Sequence, residues 1–293
     1  MKSNIPMINI EDLKFRKLNL EGLKTLVQWA KEEGWNPGSN DAEVYWATDP
    51  DGFYGYFLEE TLIAGGAIIS YNNEFGFMGL FIVKPEYRAD GIGRKLWYQR
   101  RDLLKSRLHP NSSIGMDGVV AMQPFYEKGG FNISFKDERY EKTGVKFLVD
   151  SNISNIKEED LQEIINYDKL CFGFNRPQFL IPWMNLPQNK NFKYKENNQL
   201  KGFCIVRKVE NGFKIGPLFA DDAGIAEELY KASLNSVIGE ALYIDIPMIN
   251  QEAVQIVHKY NAKYVFECAR MYHGSAPQID MNKVFGITTF EFG

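Results

Sequence analysis

The residues best suited to chemistry in this chain are Arg88, Gly91, Gly93 and Arg94, in a short turn between a strand-like and a helix-like run, with Tyr126 further on. A helix N-terminus leaves backbone N–H groups unpaired and carries a partial positive charge. Glycines let a bulky anion approach that backbone without a Cβ in the way, and an arginine adds fixed charge at the mouth. Such a turn makes a pyrophosphate cradle. Tyr126 is protonated at neutral pH, so it can donate to a leaving anion. Two carboxylates are candidates to take up a proton: Glu74, before the strand-like run, and Asp117, on the next apolar run. An interior carboxylate of raised pKa can relay a proton through water. Asp245 stands at the matching place in the second half of the chain, a symmetry that equally favours a structural role for Asp117.

The elements that must position these groups are legible from pattern. Phe75 to Val83 is almost wholly apolar or glycine and reads as a strand buried on both faces, ended by Pro85. Ile92, Leu96, Leu103 and Leu104 predict a helix from about Gly91. Before the central strand, the pattern predicts a strand over Met7–Leu18, an amphipathic helix over Leu20–Glu33, a helix over Asp41–Ala47 capped by Ser39 or Asn40, and a hairpin of Phe53–Leu58 with Leu62–Tyr71. After the turn come a strand over Ile114–Met122, a short helix over Pro124–Lys128 and a strand over Phe131–Tyr140. The order is β-α-α-β-β-β-α-β-α-β.

The turn fits neither common nucleotide motif. A dinucleotide fingerprint wants a third glycine three residues after Gly93, where Leu96 stands, and a Gly-Lys-Ser/Thr P-loop is absent. Arg88-x-x-Gly91-x-Gly93 after a strand ending in Val83-x-Pro85, set in this element order, resembles the acetyl-CoA signature of the GNAT acetyltransferase superfamily. The resemblance covers roughly residues 7–141. It implies that Phe81 and Val83 present backbone to the pantetheine and polarise the thioester, with Ile82 between them in the cofactor site. The turn from Arg88 through Ala89, Asp90, Gly91, Ile92 and Gly93 to Arg94 would then hold the pyrophosphate. Gln123-Pro124-Phe125-Tyr126-Glu127-Lys128-Gly129-Gly130-Phe131 looks like the GNAT segment whose tyrosine sits beside the CoA sulfur. Many relatives have an asparagine where Gln123 or Pro124 stands.

Thr143-Gly144 divides the chain into near-equal halves, 1–143 and 144–293, and the second reads as a diverged copy. Gly212–Phe219, Ala223–Leu229, Ala241–Pro247, Glu252–Tyr260 and Lys263–Tyr272 match the later elements of the first half. Its turn has lost the arginine and carries Asp221 and Asp222, which would repel a pyrophosphate. The expected fold is therefore α+β: two GNAT-like domains in tandem, each a mixed, mostly antiparallel sheet with a splayed central strand and flanking helices. The first would carry the acetyl-CoA site and the second an acceptor-site or structural role. The chain looks like the tandem GNAT proteins with a degenerate C-terminal domain, and its Cys171-Phe172-Gly173-Phe174-Asn175-Arg176 is similar to a segment of that group.

The implied function is acetyl-CoA-dependent N-acetyltransfer to a small-molecule amine by direct ternary-complex transfer, with a non-catalytic acyl-CoA sensor as the alternative. Trp35, Tyr45, Trp46, Phe172, Phe174 and Trp183 are candidates for an aromatic acceptor wall or for an interface between halves, and Arg176 for holding an acceptor carboxylate or pairing with a neighbouring acid. A net charge of −4 and a pI near 5.6 argue against nucleic acid as partner. Without a membrane-span-length apolar run or a signal-type core, the chain reads as cytoplasmic. Three cysteines and three histidines, all scattered, predict neither disulfide nor metal site.

Overall fold

The computed structural model of the protein describes residues 9–88 and 91–293. The first half runs β1 (Lys14–Lys17), α1 (Leu20–Glu32), α2 (Asp41–Thr48), β2 (Phe53–Leu58), β3 (Thr61–Tyr71), β4 (Phe75–Val83), α3 (Ile92–Arg107), β5 (Ser113–Val119), α4 (Gln123–Lys128) and β6 (Asn132–Thr143). The second repeats that order: β7 (Ile153–Asn155), α5 (Leu161–Phe172), α6 (Pro177–Met184), β8 (Lys190–Glu196), β9 (Gln199–Lys208), β10 (Phe213–Ala220), α7 (Ala223–Ser236), β11 (Ala241–Pro247), α8 (Gln251–Lys259) and β12 (Lys263–His273). One further strand, β13 (Val284–Gly286), follows. The α+β class expected from sequence is the class observed.

Local chemistry accounts for the boundaries. Helix α1 starts where the Asn19 side chain accepts from the Gly22 N–H, and it buries Leu23, Leu26, Val27, Trp29 and Ala30 on one face. The first strand is shorter than expected, because a 3₁₀ turn over Ile10–Asp12, capped by Asn9, takes the residues before it; residues 1–8 lie outside the described part. Asn40 does not cap α2. Asp41 instead turns inward, accepts from Gly38 N–H at 2.8 Å and pairs with Arg207 of β9.

All thirteen strands of the described residues form one sheet, in the order β1-β2-β3-β4-β5-β12-β6-β11-β10-β9-β8-β7, with β13 alongside β10. The centre of this order is an exchange. The last strand of the second half, β12, lies between β5 and β6, and the last strand of the first half, β6, lies between β12 and β11. Two buried ion pairs mark the seams. Asp117 on β5 stands opposite Arg270 on β12, bonded at 2.7 and 3.0 Å. Asp245 on β11 stands opposite Arg139 on β6, bonded at 2.5 and 2.7 Å. Each pair joins an acid of one half to an arginine of the other. A buried pair adds little net stability, but a wrong register would strand a charge. No helix of the described residues is long and apolar enough to cross a membrane.

Candidate active site

Strand β4 is the axis of the site. It pairs in parallel with β5 only from Phe75↔Ser113 to Met78↔Met116; beyond Met78 the two diverge. Its other edge stays on β3, with a register shift opposite Gly65–Ala67 and Leu80 at φ +49°. That bulge is held from below. Arg100 of α3 is fully buried and donates to the carbonyls of Ala67 and, at 3.0 Å, Gly79. Burial pushes its pKa down to about 9. Lys84 N–H bonds Ile63 O at 3.0 Å across to β3. By the alternation of a strand, Ile82 also turns its backbone to β3, whereas Phe81 and Val83 turn theirs to the open edge. This is the alternation expected of Phe81 and Val83, and Ile82 between them borders the cavity as well.

Of the turn, Arg88 and Gly91 to Arg94 belong to the described residues. Gly91 is the N-cap of α3 at φ +79°, a conformation costly for residues with a Cβ, and the first turn has neither a side-chain cap nor an acid. Among the described residues no side chain occupies the first-turn N–H groups, which could therefore meet an anion. Arg88 lies at the mouth, bonding Val83 O at 2.8 Å and the Glu33 carboxylate. Arg94 is exposed beside it. Ile92 buries its side chain against Leu96, leaving its backbone to the turn. Ala89 and Asp90 lie outside the described residues.

A cavity of about 550 Å³ runs from this turn along the open edge of β4. Arg88, Gly91, Gly93 and Arg94 border one end; Met78 to Val83 form a side; Tyr126, Asp117, Trp35, Arg139, Phe266, Phe290 and Glu291 border the rest. Tyr126 is 5% exposed, stacked on Trp97 with centroids 5.6 Å apart, and makes no hydrogen bond among the described residues. Burial drives its pKa far up, so it keeps its proton.

The carboxylates sort differently from expectation. Glu74 stands exposed in the turn before β4, at the end of that strand remote from the cavity, and the structure does not bring it to the site. Asp117 does border the cavity, but both its oxygens accept from Arg270. Burial raises its pKa to about 6 against the downward pull of that arginine. Asp245 makes the equivalent pair, so the arrangement is a seam device on both sides.

Glu291 was not found from sequence. It comes from the segment after β13, is 6% exposed, and accepts from Thr289 Oγ1. The backbone of this segment passes so close to β4 that a Cβ on Gly79 would lie 2.0 Å from Glu291 O. Gly216 of β10 has the same relation to Thr288 O, at 2.1 Å. The tail thus crosses matching points of both central strands. The only sequence signal is a lone acid within Ile287-Thr288-Thr289-Phe290-Glu291-Phe292, an otherwise uncharged run.

The second half has no such opening. β10 and β11 pair from Phe213 to Ile215, and beyond that β13 lies against β10 where the first half keeps its cavity. The Asp222 side chain accepts from Ile225 N–H at 3.0 Å, so the protein's own carboxylate takes the place an anion would need at α7. The aromatic acceptor wall is mostly core: of its six members only Trp35 borders the cavity. Tyr45 stacks on Phe292 at 3.8 Å, Phe174 on Phe75 at 4.5 Å, Trp46 lies 6.0 Å from Phe53, and Phe172 and Trp183 are buried. Arg176 takes the second of its two roles, paired with Asp168 at 2.8 Å through both nitrogens and bonded to Thr288.

Comparison with known proteins identifies the family. Residues 20–131 match the acetyltransferase (GNAT) family, and residues 164–286 match an acetyltransferase (GNAT) domain. The chain belongs to the GNAT acetyltransferase family. It is a tandem member, and its enzyme class is acyltransferase. It is similar, at 26% identity over 279 residues, to a holothin acyltransferase of Pseudoalteromonas sp. (strain SANK 73390), covering 94% of this chain and 92% of that protein. Its fold is like that of a Pyrococcus horikoshii protein described as an acetyltransferase, with TM-score 0.83, 22% identity and 98% of both chains covered. It is also like that of a tandem GNAT protein from the clavulanic acid biosynthesis pathway, with TM-score 0.64, 12% identity, and 91% of this chain and 99% of that one covered.

Proposed function

We propose that this GNAT protein transfers the acetyl group of acetyl-CoA to the amine of a small molecule within a ternary complex. The observation that carries the reading is the continuity of one cavity from the α3 N-terminus, along the open edge of β4, to Tyr126 and Glu291. The turn residues Arg88, Gly91, Ile92, Gly93 and Arg94 would hold the pyrophosphate, and the open-edge backbone of Phe81 together with the Val83 N–H the pantetheine arm, the Val83 carbonyl being bonded to Arg88. Acetyl-CoA supplies an activated thioester carbonyl. The acceptor ammonium gives a proton to Glu291, and its nitrogen attacks that carbonyl. As the new C–N bond forms the C–S bond breaks, Tyr126 protonates the departing thiolate, and the second nitrogen proton leaves to water, which returns a proton to Tyr126. Glu291 takes the base role, because Glu74 is out of reach and Asp117 has both oxygens on Arg270.

The test is calorimetric titration of acetyl-CoA into the wild type and Arg88→Glu, followed by thiol release with an amine panel at varied concentrations of both substrates. One site per chain, weakened in the variant, with intersecting initial-rate lines, is the expected result. Parallel lines would replace direct transfer with an acyl-enzyme, and no binding would end the reading.

A further inference from the structure

The end of the cavity away from the cradle has an unusual charge balance. Its arginine, Arg139, spends Nε and Nη2 on Asp245 and Nη1 on Trp35 O at 3.1 Å. Arg270, beneath it, is spent on Asp117. The nearby Lys214 is buried and bonded to Asn36 O at 3.4 Å, and burial together with Arg139 brings its pKa down to about 7. Glu291 is the one carboxylate bordering this end that meets no guanidinium, its bond being to the Thr289 hydroxyl, among the described residues. The walls around it are flat and apolar. Phe266 and Phe290, their centroids 5.6 Å apart, hold the Arg139 guanidinium at 4.6 and 5.2 Å from their rings, and Trp35 closes the side.

Resting on the acetyltransfer reading above, we infer that the acceptor is a primary amine on a flat, apolar body that carries no carboxylate and no second cationic centre. Glu291 attracts the ammonium, and the aromatic pair receives the body. An acceptor carboxylate would meet, among the described residues bordering this end, a carboxylate without an ion pair and guanidinium groups already paired, and repulsion there is less screened than in bulk water. A second ammonium would be buried against Phe266 and Phe290 without a counter-charge.

Tryptamine, tryptophan and spermidine separate these cases, assayed by thiol release with saturating acetyl-CoA. The expected kcat/KM for tryptamine exceeds that for tryptophan by about 100-fold and exceeds that for spermidine by a similar factor. In Glu291→Gln the tryptamine-to-tryptophan ratio falls by about tenfold, because the repelling charge is gone while the shape remains. That ratio is read within one preparation, so a partly unfolded variant does not alter it. Equal or better use of tryptophan or spermidine overturns the inference, as does a ratio unchanged in Glu291→Gln. Acetyl-CoA binding without turnover of tryptamine overturns it alone. Failure of acetyl-CoA to bind overturns the acetyltransfer reading and this inference together.

Discussion

The closest backbone approach in the site offers a clean test of Glu291. In Gly79→Ala the new Cβ would sit 2.0 Å from Glu291 O, where an ordinary contact is 3.4 Å or more, so the tail must retreat by about 1.4 Å. Gly79 does not use a glycine-only conformation, so the perturbation is steric rather than torsional. The obstacle is backbone, which cannot swing aside as a side-chain end would. Misplacement of a reacting group by about 1 Å costs on the order of 10²-fold in rate, and overpacking costs about 1–3 kcal/mol of stability. The expected result is kcat/KM down by about 10²-fold per folded molecule, with acetyl-CoA affinity within about threefold, because Phe81, Val83 and the turn are untouched. Thiol release gives the rate, calorimetry the affinity, and thermal unfolding the folded fraction. A rate within threefold of wild type would refute the placing of Glu291 at the reaction centre. A parallel loss of affinity and rate would instead mean that the bulge itself had collapsed.

Other perturbations probe the remaining parts. Tyr126→Phe should lower kcat about 10²-fold with acetyl-CoA affinity unchanged, and an unchanged kcat would remove Tyr126 from the mechanism. Glu33→Gln releases Arg88 from a half-exposed ion pair, so acetyl-CoA should bind up to about fivefold more tightly by calorimetry; weaker binding would show that Glu33 orients Arg88 rather than competing for it. Asp117→Asn and Asp245→Asn each strand a buried guanidinium and should each lose about 3–5 kcal/mol in denaturant unfolding, with the kcat of folded Asp117→Asn retained. Asp137 is fully buried, neither carboxyl oxygen has a hydrogen-bond partner among the described residues, and burial followed by the charge of Asp117 pushes its pKa well up. Its folded form holds a proton that the unfolded chain loses above pH ~4, so its contribution to stability is present at low pH and lost as pH rises. Asp137→Asn should therefore raise Tm more at pH 8 than at pH 5, and a gain independent of pH would show that Asp137 is ionised in the fold.

What the sequence disclosed was local. Strand β4, the turn from Arg88 to Arg94 and helix α3 lie within one stretch of chain, and glycine spacing, a stop at Pro85 and helical periodicity report on such a stretch directly. Tyr126 was singled out by the resemblance of its segment, Gln123 to Phe131, to a GNAT one, and it borders the cavity. Residues that act through distant neighbours were not. The aromatic set from Trp35 to Trp183 has the composition of a binding wall, but aromatic composition is shared by cores, and only packing shows that Tyr45 meets Phe292 rather than solvent. The repeat itself could be read from matching strands. The exchange of β6 and β12 could not, because either strand alternates well enough to lie beside β5 and each carries an arginine in a seam pair.

The exchange and the tail together explain why a degenerate second half remains joined to the first. β12 forms the neighbour of β5 and brings Phe266 and Cys268 to the cavity, so the site would lose a wall without the second half. β13 then lies where the second half would otherwise open, and this fixes the start of the tail against β10. From there only a few residues separate Gly286 from Glu291, and Ile287 N–H bonds Asp245 O at 2.9 Å on the way. A flexible tail could place a carboxylate near β4 only for a fraction of the time. Anchoring it at β10 and β11 removes that entropy in advance, which is the requirement for a catalytic group to act as part of the site. On this argument the second half lost its own anion site without cost, since the space that site would have used now holds the segment that equips the first. Loosening β13, for example with Phe285→Ala at a position 2% exposed in the second core, should then lower kcat more than acetyl-CoA affinity. Equal loss of both would place the role of the tail in folding alone.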